Sequence, residues 1–262
     1  MFGFFRNRRR KRLRKSPFPE EWIAVLEKNF PLYLHLTEED QEELRGHIQV
    51  FLDEKNFEGC GGLELDDEIR VTIAAQACLL LLRRETEYYP DLVSILVYPE
   101  AYVASTVRVS EYGVVSEDAQ TRLGESWRTG SIVLAWNSAK LGGVNSEDGH
   151  NVVFHEFAHQ LDGEDGTVSG SPVLGKGLKL TERRSKYLSW IRVFQSEFEQ
   201  LRCMQKRNRK TLIDYYGATN EAEFFAVVTE HFFEQPKQLQ KKHPELYSEL
   251  KDYFKQDPVS WK

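Results

Sequence analysis

Cysteine is scarce and unpaired in this 262-residue chain: Cys60, Cys78 and Cys203 are widely spaced, form no CxxC pair and are odd in number. That excludes a disulfide framework and fits a reducing compartment, so a cytoplasmic location is expected. Long apolar runs are missing too. The longest, residues 73–82, falls short of the roughly 18–20 needed to cross a bilayer and carries Gln76, so it reads as a buried helix rather than a membrane span. No apolar core follows the first basic residues, and a secretory signal is not expected. Acidic residues are absent from positions 1–15, which hold eight basic ones (Arg6, Arg8, Arg9, Arg10, Lys11, Arg12, Arg14 and Lys15). The rest of the chain keeps 27 of the 35 Lys and Arg against all 41 Asp and Glu, a formal charge of −14. Such a body repels phosphate, and direct nucleic-acid binding by the folded part is not expected. Residues 1–16 are expected as a basic disordered tail and 17–262 as a single domain with a helical N-terminal part.

What the chain does have is core-forming material: 40% hydrophobic and 12% aromatic residues, enough to exclude a disordered polypeptide. Three-to-four spacing of apolar residues predicts helices over 21–27, 38–52 and 67–84, the second opened by Thr37 and the acids Glu38, Glu39 and Asp40. Short β-branched or aromatic runs predict strands over 92–98 and 131–136, with 107–115 as a further strand or hairpin arm. Helical spacing returns over 151–161, 183–202, 220–234 and 245–254, with a Gly- and Ser-rich loop over 163–179 and Pro236 as a stop. Helices, a small mixed sheet, then helices again make an α+β fold.

The chemistry concentrates in His155-Glu156-Phe157-Ala158-His159. Residues four apart on a helix share a face, so both imidazoles reach one metal ion, and Glu156 stands where its carboxylate takes a proton from water activated by that ion. Val152, Val153, Phe154, Phe157, Ala158 and Leu161 give the helix an apolar side that supplies dry, fixed surroundings. The bland reading is a buried helix that happens to carry two histidines, yet imidazoles are costly to bury without partners. A catalytic zinc takes three protein ligands and keeps a fourth position open. Thr219 or Asn220 caps a second helix whose first turns hold Glu223 among Phe224, Phe225, Val227 and Val228, and a carboxylate there wants a cation. Glu223 is the preferred third ligand of one Zn2+ ion. Asp162 competes, but Gly163 ends its helix, and it reads better as an orienting acceptor. Glu221 reads as a helix-dipole acid, Glu230 as a partner standing behind a ligand, His150 as a loop residue and His231 as packing.

Residues 155–162 together with 216–226 resemble the Mlc titration factor A family of bacterial zinc peptidases, and the same two segments resemble the catalytic domain of anthrax lethal factor. The first resemblance covers most of the chain, including the basic start, IAAQACLLLL from Ile73, Val97-Tyr98-Pro99, Gly124-Glu125-Ser126-Trp127 and 151–162. The second is confined to the two motifs, which stand further apart here than in lethal factor. HExxH is weakly specific; TNEAEFFA is strongly specific. The resemblance implies a zincin-like metallopeptidase core, with His155, His159 and Glu223 as zinc ligands and Glu156 as general base. It implies Tyr216, rather than neighbouring Tyr215, as the hydroxyl that steadies the oxyanion. Aminopeptidase-like cleavage of short peptides is also implied, as is binding of the transcriptional repressor Mlc with modulation of the glucose phosphotransferase system. The competing class is a non-catalytic repressor-binding module with a structural or vestigial metal site. A structural zinc usually has four protein ligands, and only three are convincing here. The 131–136 strand is the candidate sheet edge for holding an extended peptide. Glu125 belongs to a turn ahead of that strand or lines the cleft. Phe2, Phe4 and Phe5 beside the arginines equip the tail for transient contact with an anionic membrane or nucleic acid.

Overall fold

A computed structural model describes residues 2–100, 102–109, 115–122, 124–127, 130–175 and 177–261. In chain order the elements are α1 (Phe2–Leu13), α2 (Glu20–Asn29), α3 (Glu38–Glu54), β1 (Asn56–Gly59), α4 (Asp67–Leu79), β2 (Ser94–Tyr98), β3 (Tyr102–Val109), β4 (Val115–Arg122), β5 (Gly124–Trp127) and β6 (Ser131–Ala135). The remainder is helical: α5 (Trp136–Val144), α6 (Val152–Asp162), α7 (Leu180–Lys206), α8 (Glu221–Glu234), α9 (Pro236–Lys242) and α10 (Pro244–Phe254). Caps set the starts. Thr37 Oγ1 accepts from Asp40 N at 3.2 Å and Asp66 Oδ1 from Ile69 N at 2.9 Å, satisfying backbone donors that a first turn leaves open. Pro236 ends α8 by opening α9, where its missing N–H costs nothing.

The small sheet has the order β1-β2-β6-β5, parallel across the first three strands and antiparallel between β6 and β5; β3 and β4 form a separate antiparallel hairpin. The α+β class and the mixed sheet are as expected. Two details are not. Strand β6, read as an edge, is paired on both sides, and the margins of the described sheet are β1 and β5. The buried run Ile132, Val133, Leu134 and Ala135 explains this, because a strand covered on both faces belongs in the middle. Residues 124–127, read as a turn, are strand β5; the side chain of Glu125 lies outside the described residues.

Helix α4 fills the centre, buried at every position from Val71 to Leu79. It stops short of the expected residue 84 because the chain reverses at Arg83 (φ 59°), whose guanidinium is bidentate on Asp40 at 2.8 and 2.7 Å. The apolar side of α6 packs into this core. Phe157 meets Tyr89 and Phe51 at ring-centroid distances of 4.8 and 5.7 Å, and Phe154 meets Phe233 at 5.3 Å. Each such ring contributes about 1.5–3 kcal/mol by leaving water, which fixes the orientation of the opposite, polar side of α6.

The basic segment expected as a disordered tail is folded. Helix α1 lies on α3, and Arg10, 7% exposed, is bidentate on Glu54 at 2.7 and 2.8 Å and reaches Glu87 Oε2 at 2.8 Å. Arg9 pairs with Asp53, Arg6 with Glu87, and Arg14 Nε donates to the Tyr88 hydroxyl. Acids distant in sequence supply the counter-charge that residues 1–16 lack.

Candidate metal centre

Two asparagine caps aim the polar residues. Asn151 opens α6: its Oδ1 accepts from Phe154 N at 2.9 Å and its Nδ2 donates to Gly142 O at 3.0 Å. Asn220, rather than Thr219, opens α8 and accepts from Glu223 N at 2.9 Å. The two helices pack side by side. Nε2 of His155 then lies 3.0 Å from Glu223 Oε2 and 3.3 Å from His159 Nε2, and His159 Nε2 lies 3.4 Å from the same carboxylate oxygen. A tetrahedral ion with bonds of about 2.0–2.1 Å holds its ligand atoms about 3.3 Å apart, so this triangle has the size zinc requires. Among the described residues it is the group of His, Cys, Asp or Glu side chains that converges in this way.

The charges fit a cation as well. Burial lowers the His155 imidazole, but hydrogen bonds to Glu223 and Glu230 outweigh it and hold the ring well above its ordinary value. Burial raises Glu223, and hydrogen bonds from His155 and His159 outweigh that, holding its carboxylate below the usual range. The cluster therefore calls for positive charge, met by a proton on His155 or by a metal ion among the three atoms. Nδ1 of His159 and Oε2 of Glu156 are buried with no hydrogen-bond partner among the described residues. Burial pushes Glu156 up to about 7, against the charges of His155 and His159.

Glu230 stands where the sequence suggests a supporting partner. His155 Nδ1 donates to its Oε1 at 2.8 Å, while its Oε2 accepts from Asn151 N at 2.6 Å. One carboxylate thus fixes both the ring and the cap of the helix that carries it. Tyr216, 55% exposed, places its ring 5.8 Å from that of His155, and its backbone N–H donates to Asp214 Oδ1. Tyr215 is turned elsewhere: its hydroxyl donates to the carbonyls of Met204 and Arg209. Asp162 does not join the cluster. It is fully buried and accepts from Gly170 N at 2.7 Å, tying down the loop after α6. Glu221 and His150 are exposed and His231 is buried, as read from the sequence.

Sequence reading missed Glu234. Its Oε2 accepts from Gly149 N at 3.0 Å, so Glu230 and Glu234, one turn apart on α8, together grip the segment entering α6. Only glycine suits position 149, where φ is +83° and a Cβ would meet His231 Nδ1 at 2.3 Å. The signal available was the spacing: Glu223, Glu230 and Glu234 fall on one helical face. Burial pushes Glu234 up to about 9 from 4.5, with Glu230 and Asp148 adding repulsion. A folded value above the unfolded one means stability that is present below pH 4.5 and lost as pH rises towards 9. Buried His231, lowered to about 4, acts in the opposite sense only below pH 6.5. Glu234→Gln keeps an acceptor for Gly149 and cannot ionise. Its melting midpoint is expected to exceed that of the wild type by about 5 °C at pH 8.5 and to converge with it near pH 5, read by thermal melts across pH.

The chain matches the family described as glucose-regulated metallo-peptidase M90 over residues 5–255. An uncharacterized protein of Synechocystis is 44% identical over 252 residues, covering 96% of this chain and 89% of its own. Proteins named Mlc titration factor A are similar as well: that of Cronobacter sakazakii is 28% identical over 247 residues (93% of this chain, 88% of the relative). That of Escherichia coli is 29% identical over 239 residues (91% and 86%). With a match running through both motif helices and almost the whole sequence, this chain belongs to the M90 family of glucose-regulated metallo-peptidases.

Proposed function

We propose that the chain is a zinc-dependent peptidase, aminopeptidase-like on short peptides, with a single Zn2+ held by Nε2 of His155, Nε2 of His159 and the Glu223 carboxylate. The observation that carries this reading is the triangle of 3.0, 3.3 and 3.4 Å between those atoms. Bound there, the ion supplies Lewis-acid chemistry, acidifying a water and polarising the scissile carbonyl. Glu156 accepts the proton of the attacking water and returns it to the departing amine; a carboxylate that burial has brought close to neutrality is suited to both transfers. The Tyr216 hydroxyl donates to the oxygen on which negative charge develops. Glu230 holds the His155 ring in its donor tautomer, and Asp162 keeps the following loop in place. Strand β5, at the sheet margin and beside α6, offers the edge for an extended peptide.

The names of the relatives support a second role, binding of the repressor Mlc, which a peptidase site neither requires nor excludes. A peptide digest separates the readings. Short peptides with free N-termini are expected to be trimmed from that end, with trimming abolished by a chelator and restored by zinc, while the melting transition persists. Equal cutting within N-acetylated peptides would replace the aminopeptidase reading with an endopeptidase one. A zinc-loaded protein that binds Mlc and cleaves nothing would establish the non-catalytic module.

A further inference from the structure

Helix α1 divides its charges by face. Arg6, Arg9, Arg10 and Arg14 point to the protein and pair with Glu87, Asp53, Glu54 and the Tyr88 hydroxyl. The successive 100° turns of a helix place Phe4, Phe5, Arg8, Lys11, Arg12 and Lys15 on the opposite side. All six are exposed, Phe4 and Phe5 at 70% and 61%. The four cations among them make no ion pair with any described residue. Phe4 and Phe5 thus add two exposed aromatic rings to the end of an unneutralised cationic row, the pairing of apolar and basic side chains that suits a membrane boundary.

We propose that the outer face of α1 docks on the surface of an anionic lipid bilayer, with Arg8, Lys11, Arg12 and Lys15 at the headgroups and Phe4 and Phe5 entering the boundary with the acyl chains. Arg10, buried against Glu54 of α3, and the pairings of Arg6, Arg9 and Arg14 hold α1 on the protein, so the outer cations are presented on an already formed helix, with little ordering cost at contact. A flat bilayer meets that one face, and the acidic remainder of the chain is screened beyond a Debye length of about 8 Å. A nucleic acid, which would follow its charge around the body, meets the formal −14 carried outside residues 1–15. One helix with four cations and two rings gives reversible rather than permanent attachment.

The test is co-sedimentation of the full-length chain with vesicles of phosphatidylcholine alone or with about one-third phosphatidylserine. Binding to the mixed vesicles only is expected. Each outer cation should contribute about fivefold to partitioning, so the pair Arg8→Gln and Arg12→Gln should lose about thirtyfold. The inner pair Arg6→Gln and Arg9→Gln removes the same charge and should lose less than about threefold. Phe4→Ser with Phe5→Ser should abolish the binding that survives high salt. Thermal melts confirm that each variant is folded. Equal losses from the inner and outer pairs would overturn the proposal, as would a wild type that ignores anionic vesicles or one that binds duplex DNA in their place.

Discussion

Replacing Glu156 with glutamine is expected to lower turnover of a fluorogenic peptide by a hundred- to ten-thousandfold while zinc content and KM stay near their wild-type values. The magnitude is that of losing a positioned proton-transfer group, and here one side chain is assigned both transfers. Glutamine fills the same volume and leaves His155, His159 and Glu223 untouched, so an unchanged metal stoichiometry separates the proposed base from the proposed ligands. Burial raises the ordinary Glu156 value towards 7, and the charge of a bound cation draws it back down. The wild-type rate should accordingly fall on the acid side as this carboxyl takes up its proton, and that limb should vanish from the residual activity of the variant. Wild-type turnover in Glu156→Gln would remove it from the chemistry.

The second large effect is on metal affinity, measured by competition with a chromophoric chelator. Glu223→Ala deletes one corner of the triangle and is expected to weaken zinc binding by on the order of a thousandfold or more, since two imidazoles remain of three ligands. Glu230→Gln leaves all three proposed ligand atoms in place. It takes the acceptor from behind His155 Nδ1, and a loss of about 10–100-fold is expected. The order of the two losses is the informative result. A Glu230 variant as impaired as the Glu223 one would make Glu230 a ligand, and full affinity in Glu223→Ala would dissolve the proposed centre.

Much of the cluster was legible because its determinants are local. Two histidines four apart, a capping asparagine three residues ahead of Glu223 and an apolar flank on each helix are patterns that short-range geometry imposes. Glu230 was legible for the same reason, two turns along the face that carries Glu223. What escaped depends on partners distant in sequence. The charge of α1 alone reads as a solvated tail, and only Asp53, Glu54 and Glu87, brought in by α3 and the turn before β2, make it a docked helix. Strand β1 is polar and largely exposed and carries no alternation to announce it; it exists because its backbone pairs with β2. The central position of β6 likewise follows from its neighbours on both sides. Glu234 was hidden by its setting beside Phe232 and Phe233, where an acid is unexpected unless a backbone donor such as Gly149 N awaits it.

The separation of His155 from Glu223 by 68 positions has a consequence for the life of the polypeptide. On the ribosome the imidazole pair leaves the exit tunnel well before the acid does, by several seconds at about 5–20 residues per second. A half-made or prematurely terminated product thus carries an incomplete set of donors, and the three-atom cluster comes into being only once α8 has been translated and has folded back on α6.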